Sequence, residues 1–345
     1  MKRLTILLAA SLLLVSKTQG ADPTMADVAK GMTEAAQKFL ASLSPAELAK
    51  ATRKFDDPAR LDWHNIPKPE RKGLQVREMS ADQRKILHDL LRVSLSPTGY
   101  EKGVKIMALE ANLKEGEKNL QGSPLRDTER YFLTIFDKPQ ATGTWGWSFE
   151  GHHFSLNFVI RDGQIIGDTP SFWGANPATV KIFVEGGPTV GTRTLADEEQ
   201  LAFDLVNSLN ESQKKKAVIA EKPPDDYRAA GQPQPPRGKP EGLAASDMTD
   251  AQKATLWKLL ETYNNHLAAP IAAARLAEIK ADGLDGVHFA WAGSTTPGVG
   301  HYYRVQGPAF VLELVNIQSD PAGNKANHIH SVWRSLKRDF GVAGQ

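Results

Sequence analysis

Four of the nine histidines lie in two short segments, 151–158 and 327–333, in a chain that contains no cysteine. Neutral imidazole is the commonest metal ligand in proteins, and histidine is also the side chain that changes charge near neutral pH. His328 and His330 are two residues apart, so an extended strand would project both side chains to the same side. The spacing therefore predicts a histidine site, with a metal or a hydrogen-bonded ligand as its occupant.

The strands around these histidines decide which side chains can meet. Alternating apolar residues in 154–160 predict a strand with a core face, and they leave His153 and Asn157 on the opposite face. The segment 310–314 shows the same alternation and places Glu313 at the position that matches Asn157. We therefore expect these three side chains on a related surface or cleft, whereas His152 has the parity of the core face.

The preferred hypothesis is a site for one divalent metal ion. The candidate ligands are His328, His330 and Glu313, completed by His153 or His301. Imidazole and carboxylate ligands without thiolate are compatible with Zn²⁺, Fe²⁺, Mn²⁺ or Cu²⁺. An open coordination position would allow a metal-dependent hydrolase or an oxidoreductase, through bound water or through oxygen at a two-histidine, one-carboxylate site. The simpler reading of His301 is a buried histidine with one hydrogen-bond partner.

Carboxylates and arginines near the histidines are candidates for catalysis. Glu150 or Asp339 could act as the general base, and Arg304 or Arg334 could hold an anionic substrate. The structural alternatives are that Glu150 is a solvated turn residue and that one of the arginines neutralises Glu313, which has apolar neighbours in the sequence.

The competing hypothesis is a metal-free, exported protein that binds a carbohydrate or another ring-bearing ligand in an aromatic groove. The histidines would then be hydrogen-bonding groups that orient the ligand, and acid/base catalysis by a His–Glu pair is a third reading. Core packing is the structural alternative for the aromatic residues. The groove residues would be Trp145, Trp147, Asn157, Tyr303 and Trp333, with Tyr302 beside them.

Composition and the absence of familiar motifs argue against several other classes of function. The chain has 345 residues, 41% of them hydrophobic, and a formal net charge of +2, which gives enough material for a core and no basic surface for nucleic acid. Phosphate-loop, dinucleotide and nucleophile-elbow motifs are absent from the sequence, so a small-molecule ligand is the expected partner. Residues 1–20 resemble a cleaved signal peptide, which predicts export to the periplasm or the extracellular space, and no later segment has the length and apolarity of a membrane span.

The mature chain reads as two α+β repeats, 24–190 and 191–345, each with helices first and an antiparallel sheet second. Residues 78–83 return as 247–252, and both copies open a helix with an N-cap, Ser80 or Thr249, followed three residues later by Gln. The strand, glycine turn and strand of 145–158 align without gaps on 301–314. Residues 223–240 are Pro-rich and predict a surface excursion within the second repeat.

Several of these segments together resemble the bacterial and fungal proteins grouped as domain of unknown function family 3500, most of which are exported. The resemblance covers nearly the whole mature chain. It carries no activity and no residue role over, so the predicted site depends on the chemistry of the residues. The segments that resemble the family are Arg71–Leu74, Leu95–Ser96, Gly99–Tyr100, Trp145–Trp147, Gly151–Phe158, Tyr302–Pro308, Asn327–Arg334 and Asp339–Gly341.

Overall fold

A computed structural model describes residues 22–118 and 125–342. The predicted signal peptide lies outside these residues. The described helices are α1 (Met25–Ala41), α2 (Pro45–Ala51), α3 (Ala81–Ser94), α4 (Pro97–Gly116), α5 (Ala196–Ser208), α6 (Glu211–Ala217), α7 (Asp250–Asn264) and α8 (Ala269–Asp282). The strands are β1 (Thr52–Arg53), β2 (Leu74–Gln75), β3 (Phe132–Phe136), β4 (Thr144–Gly151), β5 (Phe154–Arg161), β6 (Gln164–Gly167), β7 (Ser171–Ala175), β8 (Val218–Ala220), β9 (Leu243–Ala244), β10 (His288–Gly293), β11 (His301–Gln306), β12 (Phe310–Asn316) and β13 (Ile329–Ser335).

The starts of α3 and α7 follow from local hydrogen bonding. The Ser80 side chain accepts from the Gln83 amide, and the Gln83 side chain accepts from the Ser80 amide. Thr249 and Gln252 make the same reciprocal pair at α7. Each capping box satisfies backbone donors that the first helical turn leaves open. The predicted helix starts are confirmed.

A single sheet joins the two halves of the chain, and its order is β1-β3-β4-β5-β7-β13-β12-β11-β10-β8. β7 and β13 are antiparallel neighbours at its centre, with Phe172 opposite Val332. The outer strands β1 and β8 run parallel to β3 and β10, and the other pairings are antiparallel. The mixed α+β class is confirmed.

The two faces of the sheet are covered differently. The helices pack on one face, where Phe154, Leu156 and Phe158 join the main apolar core as the strand parity predicts. On the other face, the Pro-rich excursion 223–240, which we call the strap, packs over the centre of the sheet. Tyr227 of the strap belongs to a second apolar cluster that also contains Trp63, Phe172, Val332 and Phe340. This second layer buries side chains that strand parity alone would leave on a surface.

None of the described helices is both long enough and apolar enough to cross a bilayer.

Candidate metal centre

Three imidazole rings converge where the β4–β5 turn meets β13. The Nε2 atoms of His153, His328 and His330 are 3.0 Å, 3.0 Å and 3.1 Å from one another. Ligand nitrogens about 2.0–2.1 Å from a single Zn²⁺ ion lie about 2.8–3.4 Å apart at bond angles of about 90–110°. The triad therefore has the spacing of three ligands to one ion.

The three nitrogens cannot satisfy one another by hydrogen bonding. Each Nε2 of a neutral ring is either a donor or an acceptor, so at least one of the three contacts joins two donors or two acceptors and is not a hydrogen bond. Burial is the main cause that holds the pKa of His153 well below its usual range and lowers the pKa of His328 to about 2. Repulsion from the neighbouring imidazoles adds to this effect, so the rings of His153 and His328 are neutral at pH 7 and their nitrogens can present lone pairs.

His153 is placed by an unusual backbone. It occupies the turn between β4 and β5 with φ +61°, a left-handed conformation that turns normally give to Gly or Asn. Its amide donates to the Asn65 carbonyl at 3.1 Å, and its carbonyl accepts from the Gly174 amide at 2.7 Å. A Cβ at Gly174 would lie 2.9 Å from His153 Cγ, so the missing side chain makes room for the ring.

The outer ring nitrogens of the β13 segment also have partners. His330 Nδ1 lies 2.9 Å from Asp226 Oδ1, an arrangement in which Nδ1–H donates to the carboxylate and Nε2 keeps its lone pair for a metal. His328 Nδ1 lies 3.2 Å from the Asn176 amide nitrogen, while Asn176 Oδ1 is buried without a partner. The opposite amide orientation would give the His328 Nδ1–H an acceptor.

His152 lies beside the triad and outside it. Its ring stacks on His153 with centroids 3.7 Å apart, and its Nδ1 contacts the Glu110 carboxyl group and lies 3.1 Å from Arg126 Nη1. Burial raises the pKa of Glu110 to about 8. Glu110 is therefore mostly protonated at pH 7 and can donate a hydrogen bond to His152 Nδ1.

Two of the predicted ligands are elsewhere, and their assignment to the metal is corrected here. His301 is fully buried, with Nδ1 2.9 Å from the Val299 carbonyl and Nε2 3.3 Å from Glu199 Oε1. Glu313 accepts from Tyr302 and from Arg228 Nε at 3.0 Å. Glu313 shares a sheet face with His330, but the strap inserts the guanidinium that neutralises it.

The predicted catalytic side chains are used in ion pairs. Glu150 is buried and contacts Arg71 and Lys72, so the expectation of a solvated turn residue is wrong. Arg304 pairs with Glu241 at 2.6 Å. Arg334 donates to Asp339 at 2.6 Å and to strap carbonyls at 3.1 Å. Arg304 also lies opposite Glu313 in the β11–β12 register, and, against the effect of burial, the charge of Glu313 helps to raise the pKa of Arg304. Arg228 makes the direct hydrogen bond to Glu313. No contact of these groups with the histidine triad is seen in the described part of the chain.

The predicted aromatic groove is closed. Its residues are all at least 96% buried, because the helices cover one face of the sheet and the loops and strap cover the other. Core packing, the structural alternative, accounts for the aromatic members. The residues concerned are Trp145, Trp147, Asn157, Tyr303 and Trp333.

Sequence reasoning missed the residues that orient the triad. Asp226, which contacts His330, comes from the strap, whose composition indicates only a Pro-rich surface segment. Asn176 lies just after β7. The available signal was an Asp-Asp-Tyr-Arg run within the Pro-rich segment, in a chain with conspicuous histidines, and it does not name a partner.

The structure thus defines an α+β protein with a buried group of three histidines that could hold a metal. Residues 25–342 match the family model described as "Protein of unknown function (DUF3500)", and the chain belongs to this family. No curated protein and no solved structure matches the chain.

Proposed function

We propose that the protein is a metal-dependent hydrolytic enzyme with one Zn²⁺ ion held by His153, His328 and His330. The observation that carries this proposal is the mutual 3.0–3.1 Å spacing of the three Nε2 atoms. Three neutral protein ligands with one open position are typical of catalytic zinc sites, whereas structural zinc sites use four protein ligands. Imidazole ligands without thiolate also suit Cu²⁺, so metal analysis decides the ion.

The chemistry follows from the ligand set. A zinc ion in such a site acidifies its bound water and supplies a hydroxide nucleophile near neutral pH. The chain itself fixes the ligands: Asp226 orients His330, Asn176 contacts His328, and the β4–β5 turn holds His153. A hydrolytic role is favoured over oxygen activation at a two-histidine, one-carboxylate site, because Glu313 is paired with Arg228.

Elemental analysis of protein purified without an affinity tag tests the proposal. We expect about one equivalent of zinc in the wild type, following the one-ion geometry, and less than about a tenth of that in His328→Ala. His288→Ala is the matched control, because the His288 ring hydrogen-bonds to the nearby Gly286 carbonyl and lies in β10, outside the triad, and this variant should keep the metal. A wild type that contains no metal and gains no thermal stability from any divalent ion would contradict the proposal.

We also infer that the two halves of the chain are related repeats. The order of strands outward from the β7–β13 pair supports this, since each half continues through one strand, β5 or β12, to β4-β3-β1 or to β11-β10-β8. The connections after α3 and α7 meet in a bridge between Leu95 and Leu267, and each donates one backbone hydrogen bond of 3.0 Å to the other. In this interpretation, the triad takes one ligand from the first repeat and two from the second.

A further inference from the structure

The residues next to His328 also form walls of a cavity. Asn176 contacts the His328 ring, and the residue that follows it, Pro177, lines the cavity. Asp320 lines it as well and accepts a hydrogen bond of 2.7 Å from Asn327, the residue before His328. His328 is the one ligand of the three that is partly exposed. The cavity is therefore formed by near neighbours of His328, and the triad histidines themselves are not among its lining residues.

The cavity suits an apolar group. Its volume is about 240 Å³, and Pro177, Ile182, Val184 and Pro321 form apolar parts of its wall. Ile182 is 61% exposed, and Phe183 beside it is 71% exposed. Apolar side chains that lie together in water beside a cavity mark a surface that gains from covering by a ligand.

This cavity continues into a larger one of about 780 Å³. The two share Ile182 and Val184, and the larger one is also lined by Glu110 and Arg126, which contact His152. We call the two cavities together the cleft. It runs from neighbours of His328 to residues that contact His152, whose ring stacks on His153.

On the basis of the proposed function, we propose that the cleft is the substrate site and that the substrate carries an apolar ring or acyl chain next to its hydrolysable group. The apolar part lies against Ile182 and Val184, and the polar group reaches the metal past His328. Acidic and basic side chains both line the cleft, and one such pair, Lys118 and Glu115, is in contact at 2.6 Å. This mixture of charges favours an uncharged body over a strongly anionic one.

Two metal-binding probes of different size test this assignment on the full-length protein loaded with Co²⁺. Acetohydroxamate and benzohydroxamate share the metal-binding group, and only the second carries a ring. We expect benzohydroxamate to bind at least about tenfold more tightly, because burial in an apolar site removes the apolar surface of the ring from water. The measurement is a titration of the visible Co²⁺ spectrum.

The double variant Ile182→Asp/Val184→Asp should lose this preference for benzohydroxamate and bind acetohydroxamate and Co²⁺ as the wild type does. Val190→Asp is the control, since Val190 is 56% exposed and does not line either cavity. Failure to bind Co²⁺ would overturn the proposed function and the cleft assignment together. One bound equivalent of Co²⁺ with equal affinity for both probes, or an unchanged preference in the cleft variant, would overturn the cleft assignment alone.

Discussion

At the residue scale, His153 shows how the backbone fixes the position of a triad histidine. A non-glycine residue in the left-handed region costs about 1–2 kcal/mol, and His153 adopts it at φ +61°. The cost is offset by two backbone hydrogen bonds. The His153 amide donates to the Asn65 carbonyl, and the His153 carbonyl accepts from the Gly174 amide. Strain that surrounding contacts maintain in this way is common at functional sites.

The absent side chain at position 174 gives the first prediction. In Gly174→Ala, the new Cβ would lie 2.9 Å from His153 Cγ and 3.0 Å from the Ile329 carbonyl oxygen. We expect the ring of His153 to move out of the triad, with at least about a tenfold loss of Zn²⁺ affinity and about 1–3 kcal/mol lower stability. Chelator competition and urea unfolding measure the two effects.

Gly286→Ala is the matched control for this substitution. Gly286 has open space around the position of a Cβ and needs no left-handed backbone, so neither quantity should change. Normal zinc affinity in Gly174→Ala would show that the close packing of this glycine against His153 is irrelevant to the site.

Asp226 gives the second prediction. Asp226→Asn keeps the shape of the side chain and removes the charge that faces His330 Nδ1 at 2.9 Å. Outer partners of this kind typically contribute 10–100-fold to metal affinity, so we expect a loss of about that size. Asp225→Asn changes the neighbouring exposed carboxylate and should leave the affinity unchanged. Equal affinities in the two variants would remove Asp226 from the site.

The sequence places the three triad histidines among the candidate ligands, but it does not distinguish them from the other two candidates, His301 and Glu313. The two-residue spacing of His328 and His330 predicts a shared direction, and the structure confirms it. Glu313 lies on the same sheet face, opposite Val332, so strand parity alone placed it with the ligands. The excluding contact is Arg228, whose approach depends on the path of a loop and has no periodicity to predict it.

At the scale of elements, the strap is the part that joins the site to the rest of the fold. Asp226, Tyr227 and Arg228 are consecutive, and their side chains reach His330, Asn65 and Glu313 respectively. Tyr227 donates to Asn65 at 2.7 Å, and the Asn65 carbonyl accepts from the His153 amide. Two of the three triad histidines are therefore positioned through the strap.

The strap gives the third prediction. A metal on His330 Nε2 keeps the hydrogen on Nδ1, where it donates to Asp226, and hydrogen bonds to charged groups contribute about 1.5–3 kcal/mol. Removal of zinc should therefore speed trypsin cleavage after Arg228 by about 10–100-fold, because Arg228 must leave Glu313 to be cut. The assay follows the fragments by mass spectrometry with and without chelator.

The same chelator comparison in Asp226→Asn is the control for strap release. This variant should be cut quickly whether or not zinc is present. Cleavage after Arg228 at one rate in the wild type, with and without zinc, would separate the strap from the metal site.

Regular elements were predictable from sequence, and the strap was not. Alternation gave the β4–β5 and β11–β12 hairpins, and the Ser80 and Thr249 capping boxes gave the starts of α3 and α7. These signals are local, because each depends on neighbouring residues along the chain. The strap has no such pattern, and its order comes from long-range contacts such as that of Trp63 Nε1 with the Gln232 carbonyl at 2.9 Å.

At the scale of the whole molecule, a buried charge network joins the N-terminal and C-terminal helices. Glu198 of α5 is fully buried and contacts Lys102 of α4, and His266 Nε2 lies 2.6 Å from its carboxylate. Tyr303 of β11 donates to the Glu198 carbonyl at 2.9 Å. Composition and periodicity gave no sign of this network, because its members come from four separate elements.

This network gives the last prediction, a loss of stability in acid. Burial alone would raise the pKa of Glu198, but hydrogen bonding from His266 and the charge of Lys102 lower it from 4.5 to about 2. A carboxylate whose folded pKa is depressed contributes stability that is complete above pH 4.5 and is lost as the pH falls toward 2.

Urea unfolding midpoints at pH 7 and pH 3 should therefore differ more in the wild type than in Glu198→Gln. The variant is expected to be less stable at pH 7, because it leaves Lys102 without its buried partner. Parallel pH dependence in the two proteins would show that Glu198 is not a source of the acid sensitivity.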